Sequence, residues 1–466
     1  MDDLRGFGAG DGARAPGMNE GAFSILGWRA AGEPGAFAFS YRCSRYGDFE
    51  EIVRFPVAVA PTPAQGALLD LAALAIGVSY YKANACGRII LASAFANTAA
   101  RDLAQALYSE GLGEFYVRND LPYPPRLTFE PAAPAPSGVS SAIEDARAPT
   151  RAVVAFGGGM DSHVAYSLIE RAGVSAELAT VALSDKIKRV IEDCTDAPVT
   201  FIDRKLDPRL LAANKAGALN GHIPVTALNS LILILHASFT GADWVVFANE
   251  RSADESTMTV DGHGVNHQFS KTFHAEQLIR DAVRAASPAG PEYFSVLRPV
   301  SELWIARELA RLPRPLERFR SCNRNFVFSD SPKALANGRW CGECAKCVFT
   351  ALIMAPFLKR KQSVGLFGSD VLDNPVNLPL AEELAGFTDA KPWECVGTVD
   401  EVSAALSHLL DDSEWRDALI VRTLAPRLRD RSTAKALTAH FDSSLSTFGP
   451  GFLPPAMHFI TAPGKA

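Results

Sequence analysis

Arg151–Glu170, RAVVAFGGGMDSHVAYSLIE, is the stretch whose reading decides the fold. Ala152 to Phe156 is a short apolar run of strand type, and Gly157, Gly158 and Gly159 break it. Asp161 or Ser162 is placed to cap a helix, for which Val164, Leu168 and Ile169 supply an apolar face. The pattern is therefore strand, glycine loop, helix. Glycines let a backbone approach a ligand with no Cβ in the way. A helix start offers unpaired N–H groups and partial positive charge, which suits phosphate. No Lys-Ser or Lys-Thr pair follows the glycines, so the loop is not of Walker type.

Working outward, 466 residues suffice for two to four domains and a large core. The apolar fraction of 48% and charged fraction of 21% are those of a globular protein. A net charge of −6 gives no reason to expect nucleic-acid binding. The most apolar run, Leu228–Phe239, is too short to span a membrane and carries Asn229, Ser230 and His236. The first residues, MDDLRGFGAGDGARAPG, lack the apolar core of a signal peptide. These features predict a cytoplasmic protein with no membrane partner.

Residues 1–20 are Gly- and Ala-rich without periodicity and read as disordered. Residues 21–130 read as an α+β domain, with strands at Ala36–Tyr41 and Phe49–Phe55 and helices at Ala67–Ile76 and within Thr98–Gly111. Tyr80, Tyr81 and Lys82 could touch a ligand but read better as packing residues. The Pro-, Ala- and Ser-rich stretch 131–150 reads as a linker. Over 151–320 strands and helices alternate, with strands at Leu178–Leu183, Val199–Asp203 and Trp244–Ala248. Such alternation predicts an α/β fold, an open, mostly parallel sheet with helices on both faces. Ligands of such sheets gather at the carboxyl ends of the strands. The glycine loop belongs to that edge, and so does the polar segment after Trp244–Ala248. That segment holds Asn249, Glu250 and Arg251, with Asn266, His267 and Lys271 soon after. Arg251 and Lys271 suit anionic groups. Residues 401–466 read as a helical C-terminal region.

The segment 321–400 carries the cysteines. Cys341, Cys344 and Cys347 lie at short, regular spacing, and Cys322 supplies a fourth thiol. Four thiolates suit a closed, structural Zn²⁺ site, with an iron–sulfur cluster as the alternative. Cys43, Cys86 and Cys194 read as packing residues. Cys395 sits in KPWECVG beside Glu394, where a proton-transfer role is plausible.

GGGMDS resembles the PP-loop of the ATP pyrophosphatases, SGGxDS, with Gly157 in place of the leading serine. The blocks LNSLILIL, FANERSADES, VNHQFSK, YFSVLRPVSELWIA, FRSCNRNF, WCGECAKCVF, APFL and KPWECVGT follow it in this order. Together they resemble the ATP-dependent UDP-N-acetylmuramoyl-L-alanyl-L-glutamate epimerase (MurL) family from about Arg151 to Thr398, and GVSYYKA is similar to that family's amino-terminal domain. The resemblance implies an adenine nucleotide alpha hydrolase-like core. It implies conversion of the terminal L-glutamate of UDP-MurNAc-L-Ala-L-Glu to D-glutamate in peptidoglycan precursor synthesis, with ATP cleaved to AMP and diphosphate. It also implies partnership with a ligase that adds the L-glutamate. On this basis Gly157, Gly158, Gly159 and Ser162 are expected to hold ATP phosphates, and Asp161 to position Mg²⁺ or the loop. Asn249, Arg251, Asn266, Lys271 and Arg298 are candidates for binding substrate or diphosphate. Glu250, His267, Glu394 and Cys395 are the acid–base candidates. The rival expectations are another adenylating PP-loop enzyme, such as a 7-cyano-7-deazaguanine synthase or an amidating ligase, and a non-catalytic, zinc-stapled binding module.

Overall fold

The computed structural model describes residues 17–91, 97–131, 149–326, 339–388, 391–429, 436–441, 453–454 and 457–458. Most of the expected N-terminal tail, most of the linker 131–150 and the end of the C-terminal region lie outside them. Ten strands form one sheet: β1 (Asn19–Ala30), β2 (Ala36–Cys43), β3 (Gly47–Arg54), β4 (Cys86–Leu91), β5 (Thr128–Pro131), β6 (Arg151–Ala155), β7 (Ser175–Ala182), β8 (Val199–Lys205), β9 (Trp244–Phe247) and, last in the chain, Glu292–Ser295. Two short strands, β10 (Met258–Val260) and β11 (His263–Val265), form a separate hairpin, so Glu292–Ser295 is β12.

The order across the sheet is β12-β9-β6-β7-β8-β3-β2-β1-β4-β5. From β12 to β8 every neighbour is parallel. The expected parallel sheet thus describes this half, and the whole is mixed. The N-terminal strands do not build a sheet of their own. β3 runs antiparallel to β8, with Val53 opposite Arg204. An edge strand left unpaired would expose a row of N–H and C=O groups, and this seam covers it on both sides.

Alternation along the strands splits the core by face. Val153 and Val245 point to one side, packed with the helices Pro63–Tyr81, Val225–Thr240 and Phe273–Ala286. Val154 and Val246 point to the other, against Met160–Arg171, Glu302–Ala310, Ala345–Met354 and Val399–Leu410. One helix corrects the expectation that no apolar run is long enough for a membrane: Pro63–Tyr81, 19 residues, passes on length and composition. It is 72% buried inside the protein, because its apolar surface closes the face formed by β1 and β2. Tyr80 and Tyr81 are fully enclosed packing residues.

The chain enters the parallel half at β6, places β7 and β8 on one side, and then crosses to place β9 on the other. The strand order therefore reverses at β6. Loops leaving its carboxyl end part in opposite directions and open a crevice.

Candidate active site

The glycine loop fills the start of that crevice. Phe156 N–H still donates to Ala179 O at 2.9 Å, after which the chain leaves the sheet. Gly158 turns with φ +76°, and a Cβ there would stand 2.6 Å from Cys194 Sγ. Gly159, extended at φ −80° and ψ 171°, caps the helix Met160–Arg171 with no side-chain cap. The expectation that Asp161 or Ser162 caps this helix is corrected: Gly159 takes the N-cap position and the helix starts at Met160, so both fall in the first turn. Ser162 Oγ donates to Gly159 O at 3.0 Å. The backbone of Arg320 donates to Gly158 O at 2.8 Å and fixes the loop from the far side.

A cavity of about 340 Å³ opens here. Gly157, Gly159, Asp161 and Ser162 line it from the loop, and Asn249 and Lys271 from the segment after β9. Arg320, Lys346 and Cys395 close it from the later part of the chain. Among the described residues lining it, Cys395 is the one member of the four acid–base candidates.

Three carboxylates converge behind Asp161. One oxygen each from Asp161, Glu250 and Glu302 lie within 4.8 Å of one another. Glu250 and Glu302 are each 1% exposed, and Oε2 of each has no hydrogen-bond partner. Burial raises the Asp161 carboxyl, with Lys346 and Lys271 opposing and Glu250 assisting. Burial also raises Glu302 well above the usual carboxylate range, aided by Asp161. Burial works against the charge on Lys271, but Cys395, Glu250, Asp161 and Glu302 outweigh it and the ammonium is held. Lys346 is raised likewise, against burial, by Glu302 and Asp161. A hard cation that takes carboxylate oxygens and shares them with phosphates fits such a donor set.

Cys395 is approached by Lys346, whose ammonium donates to its carbonyl oxygen, and its thiol interacts electrostatically with His267. Burial would raise the thiol, but Lys271, His267 and Lys346 bring it down to about 7. Burial opposes the charge on half-buried His267, yet Cys395 and Glu114 raise its imidazole to about 9. His267 Nδ1 is bonded to Glu114 Oε2. The pair is thus biased toward thiolate and imidazolium.

Other expected residues have different places. Asn249 lines the cavity and donates to Ser295 Oγ at 2.9 Å. Arg298 does not face the cavity. It is fully buried, donates to Glu250 O at 3.0 Å and Lys271 O at 2.7 Å, and pairs with Glu276 at 2.9 Å. Its charge is spent on holding two site residues in place. Asn266 is occupied by its own loop, donating to Ala253 O at 2.8 Å and accepting from Gln268 N–H at 2.7 Å. Arg251 starts a short 3-10 helix outside the cavity lining, its N–H bonded to Val300 O at 3.2 Å. Glu394 accepts from Asn323 Nδ2 and stands near His267, and burial raises its carboxyl. Four site residues escape sequence reading: Glu114, Glu302, Arg320 and Lys346. Lys346 lies inside CGECAKC and Glu302 inside PVSELW, so both were visible as parts of motifs. Glu114 carried no signal.

The four cysteines gather as their spacing suggests, all free of disulfides. Cys322 and Cys344 are 3.9 Å apart, Cys341 and Cys347 3.6 Å, and Cys344 and Cys347 3.5 Å. Thiolates at roughly 2.3 Å from a tetrahedral Zn²⁺ stand about 3.8 Å apart, so the set fits that ion. It holds the start of the helix Ala345–Met354, and with it Lys346, at the cavity wall.

Fold and site together define an α/β protein with a glycine-loop cavity at a strand-order switch, two lysines facing buried carboxylates, and a cysteine–histidine pair at the wall. Comparison with known proteins makes this specific. The MurL N-terminal domain matches residues 18–296, and the MurL C-terminal domain matches 318–439. A UDP-N-acetyl-alpha-D-muramoyl-L-alanyl-L-glutamate epimerase of Micromonospora sp. is 39% identical over 412 residues, covering 87% of this chain and 89% of the relative. Proteins of the same name from Salinispora tropica (38%, covering 90% of each chain) and Xanthomonas oryzae pv. oryzae (39%, covering 76% and 77%) agree. The chain belongs to the MurL family of epimerases, enzymes of the isomerase class.

Proposed function

We propose that this chain converts the terminal L-glutamate of UDP-MurNAc-L-Ala-L-Glu to D-glutamate, using ATP to activate the carboxylate beside the reacting carbon. The observation that carries this is the single cavity faced by the glycine loop, Lys271, Lys346 and Cys395. Anion-binding groups and a proton-transfer group there serve one substrate. The substrate is taken from the relatives, which are UDP-N-acetyl-alpha-D-muramoyl-L-alanyl-L-glutamate epimerases.

The chemistry follows from charge. A carbanion beside a free carboxylate would place two negative charges on adjacent carbons. Joining the carboxylate to AMP, with loss of diphosphate, removes one charge and gives an ester-like carbonyl. The α-carbon then becomes acidic enough for a side-chain base. We assign the PP-loop role to Gly157–Gly159 and Ser162, whose open N–H groups suit phosphate. Lys271, Lys346 and Arg320 are assigned to the phosphates and the departing diphosphate. Asp161, Glu250 and Glu302 would hold Mg²⁺, which supplies neutralisation of phosphate charge. Cys395, backed by His267, would serve one face of the α-carbon, inversion requires a second proton carrier on the opposite face, and water would then cleave the adenylate. The four cysteines would hold a structural Zn²⁺. We place the reaction in the cytoplasm, supplied by a ligase that adds L-glutamate.

The test is diphosphate release from Mg·ATP with UDP-MurNAc-L-Ala-L-Glu, with chiral analysis of the glutamate recovered by acid hydrolysis. Diphosphate with D-glutamate is expected. Diphosphate without inversion would move the assignment to an amidating or ligating enzyme, and neither product would sink the epimerase reading.

A further inference from the structure

We propose that Glu114, supplied by the N-terminal segment, is a positioning residue that orients His267 against Cys395 and makes the three side chains one proton relay. The proposal rests on the reading of Cys395 and His267 as the proton-transfer pair. Glu114 lies on the short helix Gly113–Arg118 and its side chain is 7% exposed. One carboxylate oxygen, Oε2, bonds His267 Nδ1, and the other, Oε1, is held by Arg118 Nε at 2.7 Å. With Nδ1 held by Glu114, the relay assigns Nε2 to the Cys395 thiol. A reactive thiol, its imidazole partner and a third group orienting that imidazole form the arrangement that activates a side chain for proton or acyl chemistry. The three members come from distant parts of the chain, so this contact gives the N-terminal segment a task in the chemistry.

The surroundings favour one direction of proton placement. His222 tilts over His267 with ring centroids 4.4 Å apart, and its Nδ1 is 3.6 Å from Glu114 Oε2. Burial, with the charge of His267 assisting, pushes His222 down to about 4. It therefore stays neutral and leaves the proton to His267. Arg118 and Lys82 also face His222, and Glu394 faces His267. Lys271 and Lys346 face Cys395 from the other side. The carboxylate is already shared between Arg118 and a direct histidine bond, a hydrogen-bonded set rather than an ion cage.

The deciding experiment needs no substrate. The full-length, zinc-loaded protein is treated with iodoacetamide across pH, and the rate at the Cys395 peptide is followed by mass. The wild-type rate is expected to rise with a midpoint near 7. Glu114→Gln removes the anion that favours imidazolium, so its midpoint is expected to move up by about one unit, with a rate about fivefold slower at pH 7. Glu114→Asp, which keeps the charge but draws it back, is expected to fall between the two and covers the case in which Glu114→Gln does not fold. In turnover, kcat should fall while KM for ATP holds. Identical alkylation profiles for wild type and both variants would overturn the relay. So would a second zinc equivalent per chain that is lost with Glu114→Gln. A shifted profile in a protein that forms no D-glutamate would uphold the relay and remove only the reaction assigned above.

Discussion

Lys346 stands between two metal-type cysteines in sequence and beside Asp161 and Glu302 in space, with its ammonium donating to the Cys395 carbonyl. It joins the nucleotide side of the cavity to the proton-transfer side. Replacing it by alanine removes a cation aimed at developing phosphate charge, a change worth about 10²-fold or more in rate. Lys346→Ala is expected to slow diphosphate release by about that factor, measured with saturating substrate. Arg298→Ala should fail differently, by loss of stability, because it would strip Glu276 of a buried partner and leave two carbonyls unmet. Cys395 and His267 predict a pH profile. The thiol is brought to about 7 and the imidazole raised to about 9. Below the lower value the thiolate gains a proton, and above the upper value the imidazolium loses one. A bell-shaped kcat/KM with limbs near those values is expected, belonging to the pair as a unit. A flat profile from about pH 6 to about pH 10 would remove the pair from the mechanism.

At the scale of elements, the strand, glycine loop and helix of 151–171 could be read directly, because a local apolar run, a run of glycines and helical spacing suffice. The four-cysteine set was equally legible, since ligand spacing survives any rearrangement around it. Side-chain convergence was not. Glu114 reaches His267 only because two segments 153 positions apart pack together. Arg298 looked like a free cation in an active-site block, and only tertiary packing reveals that its charge is consumed. The glycine loop also has a strict local requirement. Gly158 holds a positive φ and its missing Cβ leaves room for Cys194 Sγ. Gly158→Ala is expected to cost about 1–3 kcal/mol in denaturant unfolding. Cys194→Ala in the same chain should relieve the contact with Sγ, and leave the 2.9 Å contact with Cys194 Cβ and the backbone part. Full recovery in the double variant would show that contact with Cys194, not φ, sets the cost.

Across the whole molecule, the boundary expected near the Pro- and Ser-rich linker separates two sequence patterns that share one sheet. Pairing between β3 and β8 is non-local, and neither strand's sequence names its partner. The seam is fastened by a buried ion pair. Arg204 of β8 meets Glu51 of β3 with side-chain exposures of 3% and 0%. Tyr80 Oη donates to Glu51 Oε2 at 2.8 Å, and Arg204 Nη2 donates to Ser79 Oγ at 2.9 Å. Both partners on the helix Pro63–Tyr81 clamp the seam from one face. Taking these charges out of water is costly, so the pair need add little net stability while intact, but losing one member strands the other. Arg204→Met is therefore expected to destabilise the chain by about 3–5 kcal/mol. The double variant Arg204→Met with Glu51→Gln should recover much of that loss. Because one sheet and one shared core face run through both halves, the N-terminal tryptophan Trp28 and the parallel-half tryptophan Trp244 should report a single coincident transition. Separate transitions in single-tryptophan variants would mean that the halves fold as independent units joined only at this seam. Glu114 would then be delivered to His267 by docking of two prefolded parts.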